Sequence, residues 1–142
     1  MLKNFFLLTT MLFIWGCSSG PDKIHIDIDD CNYCEMKISD IRFASEIVTA
    51  KGKVFKFDDF CCMVSYIREE NSGESAEKYV ASYTGDGSWI RVSDAHFVCS
   101  EGIRSPMGGN TAAFSDEKSA TSLAEKYKGE LIKWDQLVNR VE

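Results

Sequence analysis

Two short passages of the chain occur twice. Ser39-Asp40-Ile41-Arg42-Phe43 matches Ser93-Asp94-Ala95-His96-Phe97, and Phe57-Asp58-Asp59 matches Phe114-Ser115-Asp116. The offsets of the two pairs differ by three residues, so the halves run in step. Each half also carries the same signals in the same order. In the first, alternating segments at 44–50 and 54–57 flank Lys51-Gly52, a hairpin turn. Asp58 or Asp59 then caps a helix whose Phe60, Met63, Val64 and Ile67 follow i, i+3, i+4, i+7 spacing, and Asn71-Ser72-Gly73 stops it. In the second, segments 79–83 and 89–92 flank Gly85-Asp86-Gly87. Ser115 is expected to cap a helix with Ala120, Leu123, Ala124 and Tyr127 as its apolar stripe, ended by Gly129. A final strand over 131–134 and a short helix capped by Asp135 follow. Ile24, Ile26 and Ile28 alternate with polar residues, as do Cys34, Met36 and Ile38, and both stretches read as strands. The fold class is therefore α+β. Two tandem ββα units, about 31–73 and 79–130, pack as one compact domain over 23–142.

The segment before that domain reads as an address. Lys3 precedes an apolar run from Phe5 to Trp15, broken only by Thr9 and Thr10. That is the length of a signal-peptide core and short of the ~20 residues that span a bilayer. It ends in Ile14-Trp15-Gly16-Cys17, which resembles a bacterial lipoprotein cleavage box. The expectation is a lipoprotein signal over 1–16, lipidation of Cys17, and a tether over 17–22. The competing reading is a plain secretory signal with a buried Cys17. The rest of the composition excludes other classes. The net charge is −6, from 16 Lys and Arg against 22 Asp and Glu, with no basic cluster to meet nucleic-acid phosphates. Two histidines are too few for His-rich zinc enzymes.

What remains is sulfur. With Cys17 lipidated, Cys31, Cys34, Cys61, Cys62 and Cys99 are left, an odd number for an oxidising compartment. Soft-metal ligation is one reason to keep an unpaired thiol there. Cys34 and Met36 are two apart, so an extended backbone would turn both to one face, with Cα atoms about 6–7 Å apart. Metal–sulfur bonds of about 2.3 Å let both reach one ion. A thiolate and a thioether together favour Cu(I) over hard divalent cations. Cys31 is close enough to assist, to pair with Cys34, or to pass the ion on. The pair Cys31-x-x-Cys34 also fits a redox disulfide, or half of a zinc site completed by Cys61 and Cys62. Met107 lies between Pro106 and Gly108-Gly109, outside any periodic segment, as either a loop-presented ligand or a buried anchor. Met63 belongs to the helix stripe and is expected in the core. Cys61 and Cys62 lie off that stripe, about 100° apart, with Cys62 facing the site or an element junction. His96 is either an inward nitrogen ligand or a half-exposed strand residue. His25 reads as solvated, and Cys99 as a loop residue with no assigned role.

These motifs together resemble the NosL family of nitrous oxide reductase accessory proteins. The matching passages are Cys31-x-x-Cys34-x-Met36-x-Ile38-x-Asp40 with Phe43-Ala44, then Phe57-Asp58-Asp59-x-x-Cys62-Met63, then Ser105-Pro106-Met107-Gly108 with Ala112-Ala113-Phe114. The resemblance implies a lipid-anchored Cu(I) chaperone facing the periplasm, at the outer membrane rather than the inner. It would supply copper for the copper–sulfide cluster of nitrous oxide reductase, beside an ABC-type transporter and a periplasmic partner. It implies copper ligation by Cys34, Met36 and Met107, and transfer rather than catalysis; the residues themselves leave Cys31, His96, Cys62 and Met63 as secondary candidates. The chain departs from the family at Glu35, where glycine is common; on an extended strand Glu35 would point away from the ion. The alternative function is a membrane-tethered thiol–disulfide oxidoreductase using Cys31 and Cys34.

Overall fold

The computed structural model describes residues 20–70 and 76–141. The signal segment and Cys17 lie outside the described residues, so the lipidation reading stands as an expectation. The first hairpin forms where glycine permits it. Gly52 takes φ +80° between β1 (Ser45–Val48) and β2 (Val54–Phe57), and Ser45 faces Phe57 across the pair. α1 (Phe60–Glu70) follows β2 directly. The second hairpin, β3 (Glu77–Ala81) and β4 (Trp89–Arg91), turns through Gly85 and Gly87, both at positive φ. β3 pairs with β1, giving a four-stranded sheet in the order β2-β1-β3-β4. Two further strands, β5 (His96–Cys99) and β6 (Thr111–Phe114), lead into α2 (Glu117–Tyr127). β7 (Glu130–Ile132) joins β5 on its other edge, and α3 (Trp134–Val138) ends the domain.

The repeated passages thus mark two ββα units, but the second is β5-β6-α2. The hairpin at 77–91 extends the first sheet instead of leading to α2, and sequence reading overlooked β5 and β6. Three caps also differ from expectation. Asp116, not Ser115, caps α2 by accepting from Ser119 N–H at 2.8 Å. Lys128, at φ +51°, takes the left-handed C-terminal position expected of Gly129, and Lys133 precedes α3 where Asp135 was expected. Neither N-terminal segment is a strand. Residues 26–28 form a turn around Asp27 at φ +61°, and beyond it only the bridge between Asp30 and Lys37 is paired.

Alternation in the strands divides the core. Phe97 and Ala113 face Ile47, Phe57, Val80 and α1, where Met63 is fully buried. Val98, Ala112 and Phe114 face the opposite way, against Ala120 and Ala124 of α2. Ile24 and Ile38 of the N-terminal segment cover the outer side of the first sheet with Ala44 and Ala81. Each large apolar side chain so buried contributes about 1.5–3 kcal/mol. β1 is therefore covered on both faces, and all four of its residues are buried, Glu46 included.

Candidate metal centre

The site is built around Phe57-Asp58-Asp59, the point where β2 becomes α1. Asp58 and Asp59 are both buried, and each ties down a different segment. Asp58 Oδ1 accepts from Ser39 N–H at 2.8 Å and from Ser39 Oγ at 3.3 Å, fixing the segment that carries the first cysteines. Burial is the main force pushing the Asp58 carboxyl above the ordinary range. Asp59 Oδ2 accepts from Ser105 Oγ at 2.5 Å, Met107 N–H at 3.2 Å and Gly109 N–H at 3.3 Å, fixing the loop that carries Met107. Its Oδ1 faces Cys61 N–H at 3.4 Å, in the first turn of α1. Gly109 is required there: a Cβ would stand 2.5 Å from both Asp59 Oδ1 and Phe60 Cε1.

The first cysteine segment is a tight turn, not a strand. Glu35 N–H donates to Cys31 C=O at 3.0 Å, and Cys31 N–H donates to Met36 C=O at 2.8 Å. Glu35 sits at φ +62°, which breaks the alternation expected of an extended backbone. The turn docks on the free edge of β2. Asn32 N–H donates to Lys56 C=O at 2.8 Å, and Lys56 N–H to Asn32 Oδ1 at 2.6 Å. This also occupies backbone groups that would otherwise leave an open sheet edge.

Docked in this way, the turn lies against the first turn of α1. The sulfurs of Cys31, Cys34 and Cys62 all fall within 4.8 Å of one another. Cys31 is 1% exposed and Cys62 3%, while Cys34 is half-buried and gives the trio its opening to solvent. An ion bound by three sulfurs at about 2.3 Å would need them about 4.0 Å apart, so the trio is close to metal-ready. The three thiols do not titrate alike. The neighbouring Cys62 side chain first, and then backbone N–H groups of Cys34, Asp58 and Tyr33, hold the Cys31 thiol well below the ordinary range despite its burial. Cys62 is pushed up by its bond to Cys31, by Cys61 and by burial. Cys34 is pushed up by burial first and by the neighbouring Cys31. The trio thus carries one thiolate supported by two thiols. That arrangement suits a soft cation of low charge.

The other candidate residues are more widely spread. Met36 is 56% exposed, and Met107 38%. Met107 C=O lies 3.8 Å from Cys61 Sγ, on the flank of α1 away from the trio. His96 begins β5, near Asp116 at the start of α2, at the end of that strand away from Cys99. His25 pairs with Asp29 at 3.5 Å on the surface. All five described cysteines are free thiols, and Cys99 closes β5 instead of lying in a loop. Cys62 was the hardest member of the trio to read. On a helical wheel it lies nearly opposite the stripe of Phe60, Met63 and Val64, yet it is buried in the core cluster.

Comparison with known proteins agrees with this architecture. The chain is 27% identical over 128 residues to the copper-binding lipoprotein NosL of Stutzerimonas stutzeri, covering 84% of this chain and 67% of that protein. Its structure resembles the crystal structure of the copper chaperone NosL from Shewanella denitrificans, with a TM-score of 0.66 and 26% identity. That match covers 82% of this chain and 96% of the other. The NosL family model matches residues 23–141, the whole described domain but for its first few residues, and this chain belongs to the NosL family.

Proposed function

We propose that this protein is a copper chaperone that carries Cu(I) on the Cys31–Cys34–Cys62 trio and gives it up by ligand exchange. The observation that carries this reading is the convergence of three sulfurs within 4.8 Å, two of them buried and one open to solvent. Thiolate donors without histidine or carboxylate in the trio favour monovalent copper over Cu(II). Of the thioethers that the family resemblance assigns to copper, Met36 is exposed two residues from Cys34, where it can take over the ion as the trio releases it, and Met107 stands by Cys61 on the other flank of α1. Copper is cargo here: metal–sulfur bonds are exchanged, incoming thiols give up their protons to the sulfurs the ion leaves, and the oxidation state does not change. The half-buried Cys34 lets an acceptor's thiol or thioether enter the coordination sphere before a protein ligand leaves.

Membership of the NosL family supports a finer reading. The cargo is delivered for the copper–sulfide cluster of nitrous oxide reductase, with a transporter and a periplasmic partner. The chaperone is held to the envelope, at the outer membrane, through lipid on Cys17. No helix among the described residues is long and apolar enough to cross a membrane, so such an anchor would do the holding. The oxidoreductase reading is less well supported, because Cys31, the low-pKa sulfur, is 1% exposed and out of reach of an external disulfide.

The test is Cu(I) competition between the reduced full-length protein and a chromogenic chelator. Tight binding is expected, abolished by Cys34→Ser and weakened by Met36→Leu. Tight binding retained by Cys34→Ser would overturn the assignment. For the delivery step, nitrous oxide reductase from a strain lacking this protein should be missing the cluster, restored by the wild-type gene and not by Cys34→Ser.

A further inference from the structure

On the Cys61 flank of α1 lies a cavity of about 290 Å³ that copper binding at Cys31, Cys34 and Cys62 does not use. Its walls carry the two remaining described thiols, Cys61 and Cys99, together with the thioether Met107. Three independent features aim sulfur at this space. Cys61 sits about 100° around the helix from Cys62 and so turns to the other side of α1, with its thiol directed at Met107 C=O, 3.8 Å away. Cys99 is the last residue of β5 and alternates with Val98, which puts it on the same face as Phe97, toward the core side where Cys61 lies. The Met107 loop is clamped over the opening by Asp59. Arg140, held by Glu130 at 2.7 Å, also lines the cavity.

We propose that this cavity is a second Cu(I) station, formed by Cys61, Cys99 and Met107, through which copper leaves the trio. The inference rests on the copper-chaperone reading above. Adjacent residues link the two stations: Cys61 and Cys62 are neighbours in the first turn of α1. Transfer is an exchange of ligands at constant oxidation state. Cu–S bonds to Cys61, Cys99 and Met107 form as those to Cys62, Cys34 and Cys31 break, and the proton leaving the Cys61 thiol ends on Cys31, the thiolate that the ion has left. Cys99 and Met107 then complete a soft, largely neutral coordination sphere. The inner site holds the ion among three sulfurs, two of them buried. The outer one holds it at an open cleft with a half-exposed thioether, where an acceptor can reach it. The rotation between neighbouring helical positions separates storage from release.

The experiment titrates Cu(I) into the reduced full-length protein against chelators of two affinities. Wild type is expected to take two equivalents, the first tighter. Cys61→Ser with Cys99→Ser is expected to lose the second equivalent and keep the first; retention of the first also reports that the variant is folded. Cys34→Ser is expected to lose the first. A single equivalent in wild type, or a second one that survives the double substitution, overturns the second station and leaves the inner site standing. Absence of any tight equivalent overturns both readings. Cys61→Ser alone gives an independent readout: copper transfer from the loaded protein to an excess of chelator should slow. Unchanged transfer kinetics would remove Cys61 from the route.

Discussion

Asp59 offers the sharpest test of how the centre is held together. One buried carboxylate oxygen takes three donors from the Met107 loop, Ser105 Oγ, Met107 N–H and Gly109 N–H, and the other faces Cys61 N–H. Asp59→Asn keeps the shape and removes one acceptor. If the amide oxygen keeps the three loop donors, those bonds lose their charge assistance, and the amide NH2 is left facing the N–H groups of α1. Losing charge-assisted bonds and opposing two donors costs about 2 kcal/mol, which for a domain of this size lowers Tm by about 8 °C. Asp59→Ala leaves the loop donors with no partner and should cost more, about 3–5 kcal/mol. Urea unfolding of the reduced, copper-free protein reads the effect as a lower midpoint at unchanged m. Amide hydrogen exchange gives the local signature, because the Met107 and Gly109 N–H groups should lose protection first. If Asp59→Asn unfolds within about 0.5 kcal/mol of wild type and protection at Met107 and Gly109 is unchanged, the carboxylate does not hold the loop and this account of the site is wrong.

Two further outcomes follow from the backbone and the buried charge. Glu46 is fully buried on β1; Asp22 N–H donates to its Oε2 at 2.8 Å, while its Oε1 has no partner among the described residues. Burial raises its carboxyl from 4.5 to about 7, against the Asp22 N–H and the Lys56 charge, which lower it, and with a smaller push from the Asp22 and Asp29 charges. Between those values the folded state keeps a proton that the unfolded chain has lost. Stability should therefore fall as pH rises through that window, by on the order of 3 kcal/mol at most, and level off above it. Glu46→Gln should flatten that part of the curve, and equal pH 5 to pH 8 differences in wild type and variant would refute it. Glu35 occupies the left-handed region at φ +62°, which costs an L-residue about 1–2 kcal/mol and glycine almost nothing. Glu35→Gly should thus keep the turn, the trio and its copper. Glu35→Val should unfold about 1 kcal/mol or more below the glycine variant, and equal urea midpoints would mean that this backbone conformation is not adopted in solution.

The left-handed residue also explains why glycine is common at this position in the resemblance noted from sequence. Alternation suggested that Glu35 would point harmlessly to the other face of a strand. The turn instead gives it a conformation that glycine adopts freely.

Local sequence was enough to determine the class of fold. Side-chain period, glycine at turns and the doubled passages are properties of neighbouring residues, so the two hairpins, α1 and α2 were legible. So were the soft-donor chemistry and the loop origin of Met107. Strand partnership was not. Thr111-Ala112-Ala113-Phe114 has little alternation to announce β6, and it becomes a strand only because β5 offers it a hydrogen-bonding edge. The hairpin at 77–91 extends the first sheet because β1 lies open to β3. The centre was decided in the same way. Cys31 and Cys62 belong to segments about thirty positions apart, and Cys62 points from the polar side of its helix. They meet because Asn32 docks a turn on the edge of β2 and Asp58 fixes the segment that follows. Local pattern sets which side chains a segment offers, and long-range hydrogen bonds set which of them come within reach of the same ion.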